Sequence, residues 1–141
     1  MSEFVHVSIS EEAHIAEARR NALLLARDLG FSRTDAYHLA TAVTYLAANI
    51  HHHAGGGLVR RRAGARRGAG GIVVAARYYG PGIADIGLAL RDGFSTAGSL
   101  GCGLPGARRL MDEMEIRSEA GRGTWIRACK WIAAATAKIA C

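Results

Sequence analysis

The chain has 141 residues, half of them hydrophobic, which is enough to bury one core. No apolar run is long enough to span a bilayer, and the opening MSEFVHVSIS alternates like a strand instead of resembling a signal peptide. These features predict a cytoplasmic protein without a membrane segment. The net charge of +6 favours an anionic partner.

The first third of the chain predicts one strand followed by two helices. Apolar residues alternate from Phe4 to Ile9, as in a strand with one buried face. Ser10 is placed to cap a helix over Glu11–Leu29, and Ser32 is placed to cap a second helix over Arg33–His53.

The rest of the chain predicts two β-hairpins with two helices between them. The four strands are Leu58–Arg62, Gly71–Tyr79, Glu115–Glu119 and Thr124–Ile132. A short helix over Ala84–Asp92 and a longer one over Leu104–Met114 separate the hairpins. The natural arrangement is an α/β two-layer sandwich, with a mixed, mostly antiparallel sheet and helices on one face. It accounts for residues 1–132 as one domain and leaves 133–141 as a C-terminal tail.

Two glycine clusters lie in the second half of the chain. They read RYYGPGI at 77–83 and GFSTAGSLGCGLPG at 93–106, and the second opens onto the predicted helix at Leu104. Glycine lets the backbone approach a ligand closely, and a helix N-terminus offers free N–H groups to an anion. The two clusters together predict an anion-binding cradle, most often one for phosphate.

These motifs resemble the nucleotide-binding half of the RsbT-type switch kinases. That family comprises small serine-protein kinases and anti-sigma-like regulators of the GHKL (Bergerat-fold) ATPase group. The segment LARDLGFSRTDAYHLATAVTYLAANIHHHAGGG is similar to the family's asparagine-bearing helix, and SEAGRGTWIRACKW is similar to its closing hairpin. The resemblance implies a GHKL fold, ATP and magnesium as cofactors, and serine phosphorylation of STAS-domain antagonist proteins. It also implies release to activate a downstream phosphatase.

Two residues depart from the family pattern where the resemblance implies chemistry. The family has a general-base glutamate four residues before the magnesium-holding asparagine; here Asn49 is retained but position 45 is Tyr45. The adenine-reading aspartate of the first glycine cluster is replaced by Tyr78. A phenol titrates near pH ~10 and supplies no carboxylate, so Tyr45 is a poor general base. Losing a hydrogen bond to a charged acceptor costs about 1.5–3 kcal/mol, although a phenol can accept one hydrogen bond and stack on a base.

The other nucleotide-binding residues implied by the resemblance lie in the glycine clusters: Gly80, Gly82, Ser95, Thr96, Gly98, Ser99, Gly101 and Gly103. With both carboxylates replaced, we expect weak ATP binding and an impaired kinase step. One alternative is a nucleotide-free pseudokinase, or an engineered scaffold, that acts only as a protein-binding module. A basic nucleic-acid binder is a further alternative.

A run of arginines is the main source of the positive charge: Arg60, Arg61, Arg62, Arg66 and Arg67. Such a run favours an acidic protein face or a nucleic acid, but charge runs usually belong to a solvated surface. No aromatic residue is interleaved with these arginines, which argues against binding of single-stranded nucleic acid.

Overall fold

The computed structural model describes residues 4–53, 56–78, 100–119 and 122–132. These residues form a five-stranded sheet of order β1-β2-β3-β5-β4, in which every neighbouring pair is antiparallel. The elements are β1 (Val5–Ile9), α1 (Glu12–Asp28), α2 (Arg33–His53), β2 (Gly57–Arg66), β3 (Ala69–Tyr78), α3 (Leu100–Leu110), β4 (Glu113–Glu119) and β5 (Gly123–Trp131). The predicted two-layer α/β sandwich is therefore confirmed.

The hydrophobic core lies between the helices and one side of the sheet, which we call the inner face. On β3 the alternating residues Ile72, Val74, Ala76 and Tyr78 all point into this core. On α2 the buried residues recur every three or four positions: Leu39, Val43, Leu46 and Ile50. A strand buries every second residue and a helix buries one stripe, so these β3 and α2 side chains belong to one core between the two layers. The opposite side of the sheet is the outer face.

The helix starts agree with the prediction at α2 and differ by one residue at α1. The Ser32 hydroxyl accepts a hydrogen bond from the Asp35 backbone N–H at 3.1 Å, as expected for a cap. Ser10 does not cap α1, because the N-cap residue is Glu11. His14 explains the shift, since its Nδ1 accepts the backbone N–H groups of both Ser10 and Glu11, at 3.1 and 3.2 Å.

The first hairpin is longer than predicted. The predicted strands leave AGARRGAG at 63–70 between them as a turn, but β2 and β3 remain paired until Arg66 lies opposite Ala69. The turn itself consists of Arg67 and Gly68, which have φ values of 51° and 85°. Positive φ at both central residues fits the right-handed twist of a two-residue hairpin, so the small residues on either side can continue the ladder.

The helix after the second glycine cluster also differs from the prediction. It covers Leu100–Leu110 instead of Leu104–Met114, and β4 begins at Glu113. Met114 and Ile116 pack against the core from β4, because their alternation suits a strand paired with β5. The predicted short helix at 84–92 and the tail at 133–141 lie outside the described residues. None of the described helices combines the length and apolarity needed to cross a membrane.

Candidate functional site

Helix α2 places Tyr45 and Asn49 one turn apart, on the side that faces α3 and the end of β3. The Asn49 side chain is almost fully buried, with 2% of its surface exposed, whereas Tyr45 is 37% exposed. A separation of four residues is one helical turn, so the two side chains share one side of the helix. This shared side is the candidate site predicted from the sequence.

Tyr78, the last residue of β3, packs into the core beside Asn49. It is 4% exposed, and burial raises the pKa of its hydroxyl, an effect that the nearby Asn49 side chain opposes only in part. Neither the Tyr78 hydroxyl nor Asn49 Nδ2 has a hydrogen-bond partner of normal geometry among the described residues. Two buried polar groups without partners are uncommon in a folded core. Because its raised pKa keeps the Tyr78 hydroxyl protonated, the Tyr78–Asn49 pair carries no charge at neutral pH.

Tyr45 contacts α3 at Gly106. A Cβ atom added to Gly106 would lie 2.6 Å from Tyr45 Cε2, far closer than two carbon atoms can approach. The glycine therefore makes room for the tyrosine ring where α2 and α3 cross. The sequence analysis missed Gly106, and the signal that could have identified it is a glycine inside a helical pattern, which often has a packing reason.

Comparisons with known proteins agree with this fold. Residues 9–130 match the family model of the histidine kinase-like ATPase domain. The chain belongs to this family. It is 45% identical over 126 residues to the serine/threonine-protein kinase RsbT of Bacillus subtilis (strain 168), an alignment that covers 89% of this chain and 95% of RsbT. The predicted RsbT-type GHKL membership is thereby confirmed.

Within this histidine kinase-like fold, the described part of the site lacks the expected acidic groups. Position 45 and position 78 both carry a phenol, and Asn49 offers a single amide oxygen. Magnesium favours several oxygen ligands in octahedral geometry, usually with at least one carboxylate. No group of three or more histidine, cysteine, aspartate or glutamate side chains converges on a metal position within the described ranges. The described residues therefore do not fit a magnesium ion.

The remaining predicted site residues fall into two groups. Gly101 and Gly103 lie in the first turn of α3, because the helix begins at Leu100 and not after the glycines. The other predicted residues lie outside the described part of the chain: Gly80, Gly82, Ser95, Thr96, Gly98 and Ser99. The structure thus brings together Asn49 and Tyr78, and places Tyr45 against α3.

The arginine run has neighbours that its sequence did not reveal. Phe4, just before β1, lies beneath two guanidinium groups, with its ring centre 4.3 Å from Arg60 Cζ and 5.2 Å from Arg62 Cζ. Arg61 points to the inner face and donates a hydrogen bond to Asn21 Oδ1 at 2.5 Å. No aromatic residue is interleaved with these arginines in the sequence, but the fold places one beside them. Pairing of β1 with β2 brings Phe4 beside them.

Proposed function

We propose that this chain is an RsbT-like regulator of bacterial stress signalling that binds STAS-domain antagonist proteins and phosphorylates them weakly or not at all. Its relation to a serine/threonine-protein kinase supports the signalling role. The burial of Tyr78 against Asn49 is the observation that carries the loss of activity. It puts a neutral phenol where the resemblance implies an adenine-reading carboxylate.

The residues of the site support weak nucleotide binding. A buried phenol with a raised pKa stays protonated at neutral pH, so it lacks the charged acceptor that would read the adenine amino group. Asn49 could contribute its amide oxygen to magnesium, but positions 45 and 78 are both tyrosine and supply no carboxylate. We therefore derive no phosphate-transfer step through this site. Tyr45 is likewise unsuited to remove a proton from a serine hydroxyl at neutral pH.

A regulator of this kind would act by occupancy instead of by covalent modification. Without phosphorylation, its release from a STAS-domain antagonist would follow concentration and affinity alone. Activation of a downstream phosphatase would then depend on how much of the regulator remains unbound. This distinguishes the proposal from a working kinase, whose product dissociates because the antagonist has been modified.

Calorimetric titration with magnesium-ATP tests the nucleotide half of the proposal. The unaltered chain should bind at least about tenfold more weakly than Tyr78→Asp, because a charged acceptor contributes about 1.5–3 kcal/mol. Tyr37→Glu adds a carboxylate elsewhere on α2 and serves as the control, which should leave affinity unchanged. Tight, adenine-specific binding by the unaltered chain would refute this half.

Transfer of labelled phosphate to a purified STAS-domain antagonist tests the chemical half. The unaltered chain should transfer none above background, and the double variant Tyr45→Glu with Tyr78→Asp should regain transfer. Binding of the antagonist without nucleotide should be measurable for both proteins. Robust transfer by the unaltered chain, or no binding of the antagonist, would overturn the proposal.

A further inference from the structure

The outer face of the sheet carries a shallow groove of about 250 Å³. Two rows of residues line it, each running across the four strands β2, β3, β5 and β4. The first row consists of Leu58, Arg77, Trp125 and Arg117, which are paired in register. The second consists of Arg60, Ala75, Arg127 and Glu115. The groove therefore crosses the strands instead of following one of them.

Positive charge dominates this groove, since four arginines line it with a single glutamate. Arg77, Arg117 and Arg127 are exposed. Arg117 and Arg127 form no side-chain hydrogen bond or close ion pair within the described ranges. A concave surface with one sign of charge concentrates ligands of the opposite sign.

Aromatic contacts hold two of the guanidinium groups in place. Arg77 Cζ lies 5.3 Å from the centre of the Trp125 ring, and Arg60 Cζ lies 4.3 Å from the centre of the Phe4 ring. Stacking on a ring restricts the guanidinium plane while its edge remains able to donate. A planar, pre-oriented guanidinium suits a carboxylate, which can accept two parallel hydrogen bonds. Leu58 and Ala75 provide a small apolar floor between these groups.

We propose that this groove binds an extended acidic segment of a protein partner. Four strands about 4.8 Å apart span about 14 Å, which an extended chain crosses with about four residues. Carboxylates of such a segment would meet Arg60, Arg77 and Arg127, and a lysine or amide at one end would meet Glu115. The site lies on the face opposite Asn49 and Tyr78, so the inference does not rest on the proposed nucleotide chemistry.

The charges on β4 favour a peptide over a nucleic acid. Glu113, Glu115, Arg117 and Glu119 alternate along the outer face of this strand, which therefore carries three carboxylates and one guanidinium. A polyphosphate crossing the groove would carry negative charge into these carboxylates, whereas a peptide can place its acidic residues only over β2, β3 and β5. A second copy of the chain would bring its own excess of arginine to the interface, because each copy has a net charge of +6.

Fluorescence anisotropy on the full chain tests this inference. The probe is a labelled, capped peptide of sequence Asp-Ala-Asp-Ala-Asp-Lys, compared with the same peptide carrying asparagine for aspartate and with a labelled twelve-nucleotide oligothymidylate. The aspartate peptide should bind saturably, at least about tenfold more tightly than the asparagine peptide, and its affinity should fall with salt. Circular dichroism melting would establish that each variant is folded.

Two double variants of equal net charge locate the site. Arg77→Gln with Arg127→Gln should weaken binding about tenfold, since the two changes remove two exposed ion pairs with the peptide. Arg20→Gln with Arg108→Gln changes exposed arginines on α1 and α3 and should alter affinity less than twofold.

Four outcomes would overturn the proposal. Equal losses in both double variants would mean that only net charge matters. Tighter binding of the oligothymidylate would indicate a nucleic-acid surface, and dimerisation in sedimentation equilibrium that the Arg77 and Arg127 changes abolish would indicate a self-association surface. No saturable binding of the aspartate peptide would remove the site altogether.

Discussion

Tyr78 and Arg77 are neighbours on β3, yet they belong to regions with opposite properties. Tyr78 points to the inner face, where it is 4% exposed and its hydroxyl has no described partner. Arg77 points to the outer face, where it is exposed and stacks on Trp125. One peptide bond separates a packed core from a charged surface because successive side chains on a strand alternate between its faces.

The comparison shows that position 78 contributes to core packing, whereas position 77 does not. At position 78, where the resemblance implies a carboxylate, a phenol takes part in the core and adds apolar packing. The exposed charges of the outer face, among them Arg77, do not contribute to that packing. Four sets of substitutions test this contrast, from the largest expected effect to the smallest.

Tyr78→Asp should destabilise the protein by about 3 kcal/mol, since it leaves a cavity and places a carboxyl group in the core. Tyr78→Phe, which removes only the unpartnered hydroxyl, should be neutral or slightly stabilising. Arg77→Gln on the outer face should change stability by less than about 1 kcal/mol. Urea denaturation of the three variants measures these differences, and equal effects at positions 77 and 78 would break the comparison.

Lys130 is a buried charged residue on the inner face. It is 7% exposed, and its Nζ donates to the Leu110 carbonyl at 2.8 Å and lies 4.0 Å from Asp112 Oδ1. Lys130→Met keeps the aliphatic stem but leaves the last carbonyl of α3 without this donor, so we expect a loss of about 1–3 kcal/mol. Arg127→Met, three residues earlier and exposed, is the control. If both changes lower the free energy of unfolding equally in urea denaturation, the hydrogen bond from Lys130 to the Leu110 carbonyl does not stabilise the protein.

Gly106 should respond to substitution with opposite signs in two backgrounds. In the unaltered chain Gly106→Ala should destabilise by about 1–3 kcal/mol, because the new methyl group overlaps the Tyr45 ring. In a Tyr45→Ala background the same change should stabilise by about 1 kcal/mol, since alanine is the better helix former. A double-mutant cycle in urea checks this. Destabilisation of similar size in both backgrounds would show that a neighbour other than Tyr45 limits the space at position 106.

Glu113 on the outer face should stabilise the protein at neutral pH and lose this contribution in acid. Its carboxylate accepts a hydrogen bond from Trp131 Nε1 at 2.7 Å and pairs with Arg66, and these contacts lower its pKa. A lowered pKa in the folded state adds stability above the ordinary glutamate range, and that stability is lost as the pH falls through the folded value. Glu113→Gln should therefore reduce the urea midpoint at pH 7 and flatten its decline in acid, whereas Glu115→Gln should not. Parallel profiles for Glu113→Gln and the unaltered chain would contradict this.

The sequence by itself determined the secondary structure type, the family and the altered positions. Apolar periodicity located both long helices and all five strands, because burial of one side imposes a period on any helix or strand. The glycine clusters and the helix around Asn49 were specific enough to identify the RsbT-type group, and they revealed Tyr45 and Tyr78 as departures. Element ends were less well predicted where glycine and alanine allow either a turn or regular structure, as in AGARRGAG and before Leu104.

Only the tertiary structure decided which residues share a surface. Phe4 reaches Arg60 through the pairing of β1 with β2, and Gly106 makes room for Tyr45 where α2 crosses α3. The rows of the outer-face groove likewise depend on the register of four strands that are not consecutive in sequence. Local sequence patterns indicate which side of a helix or strand is buried. They carry no information about which segment packs against that side or about the register in which two strands pair. Those follow from packing between segments far apart in the chain, which is why the buried Tyr78–Asn49 pair and the arginine groove appear only in the folded molecule.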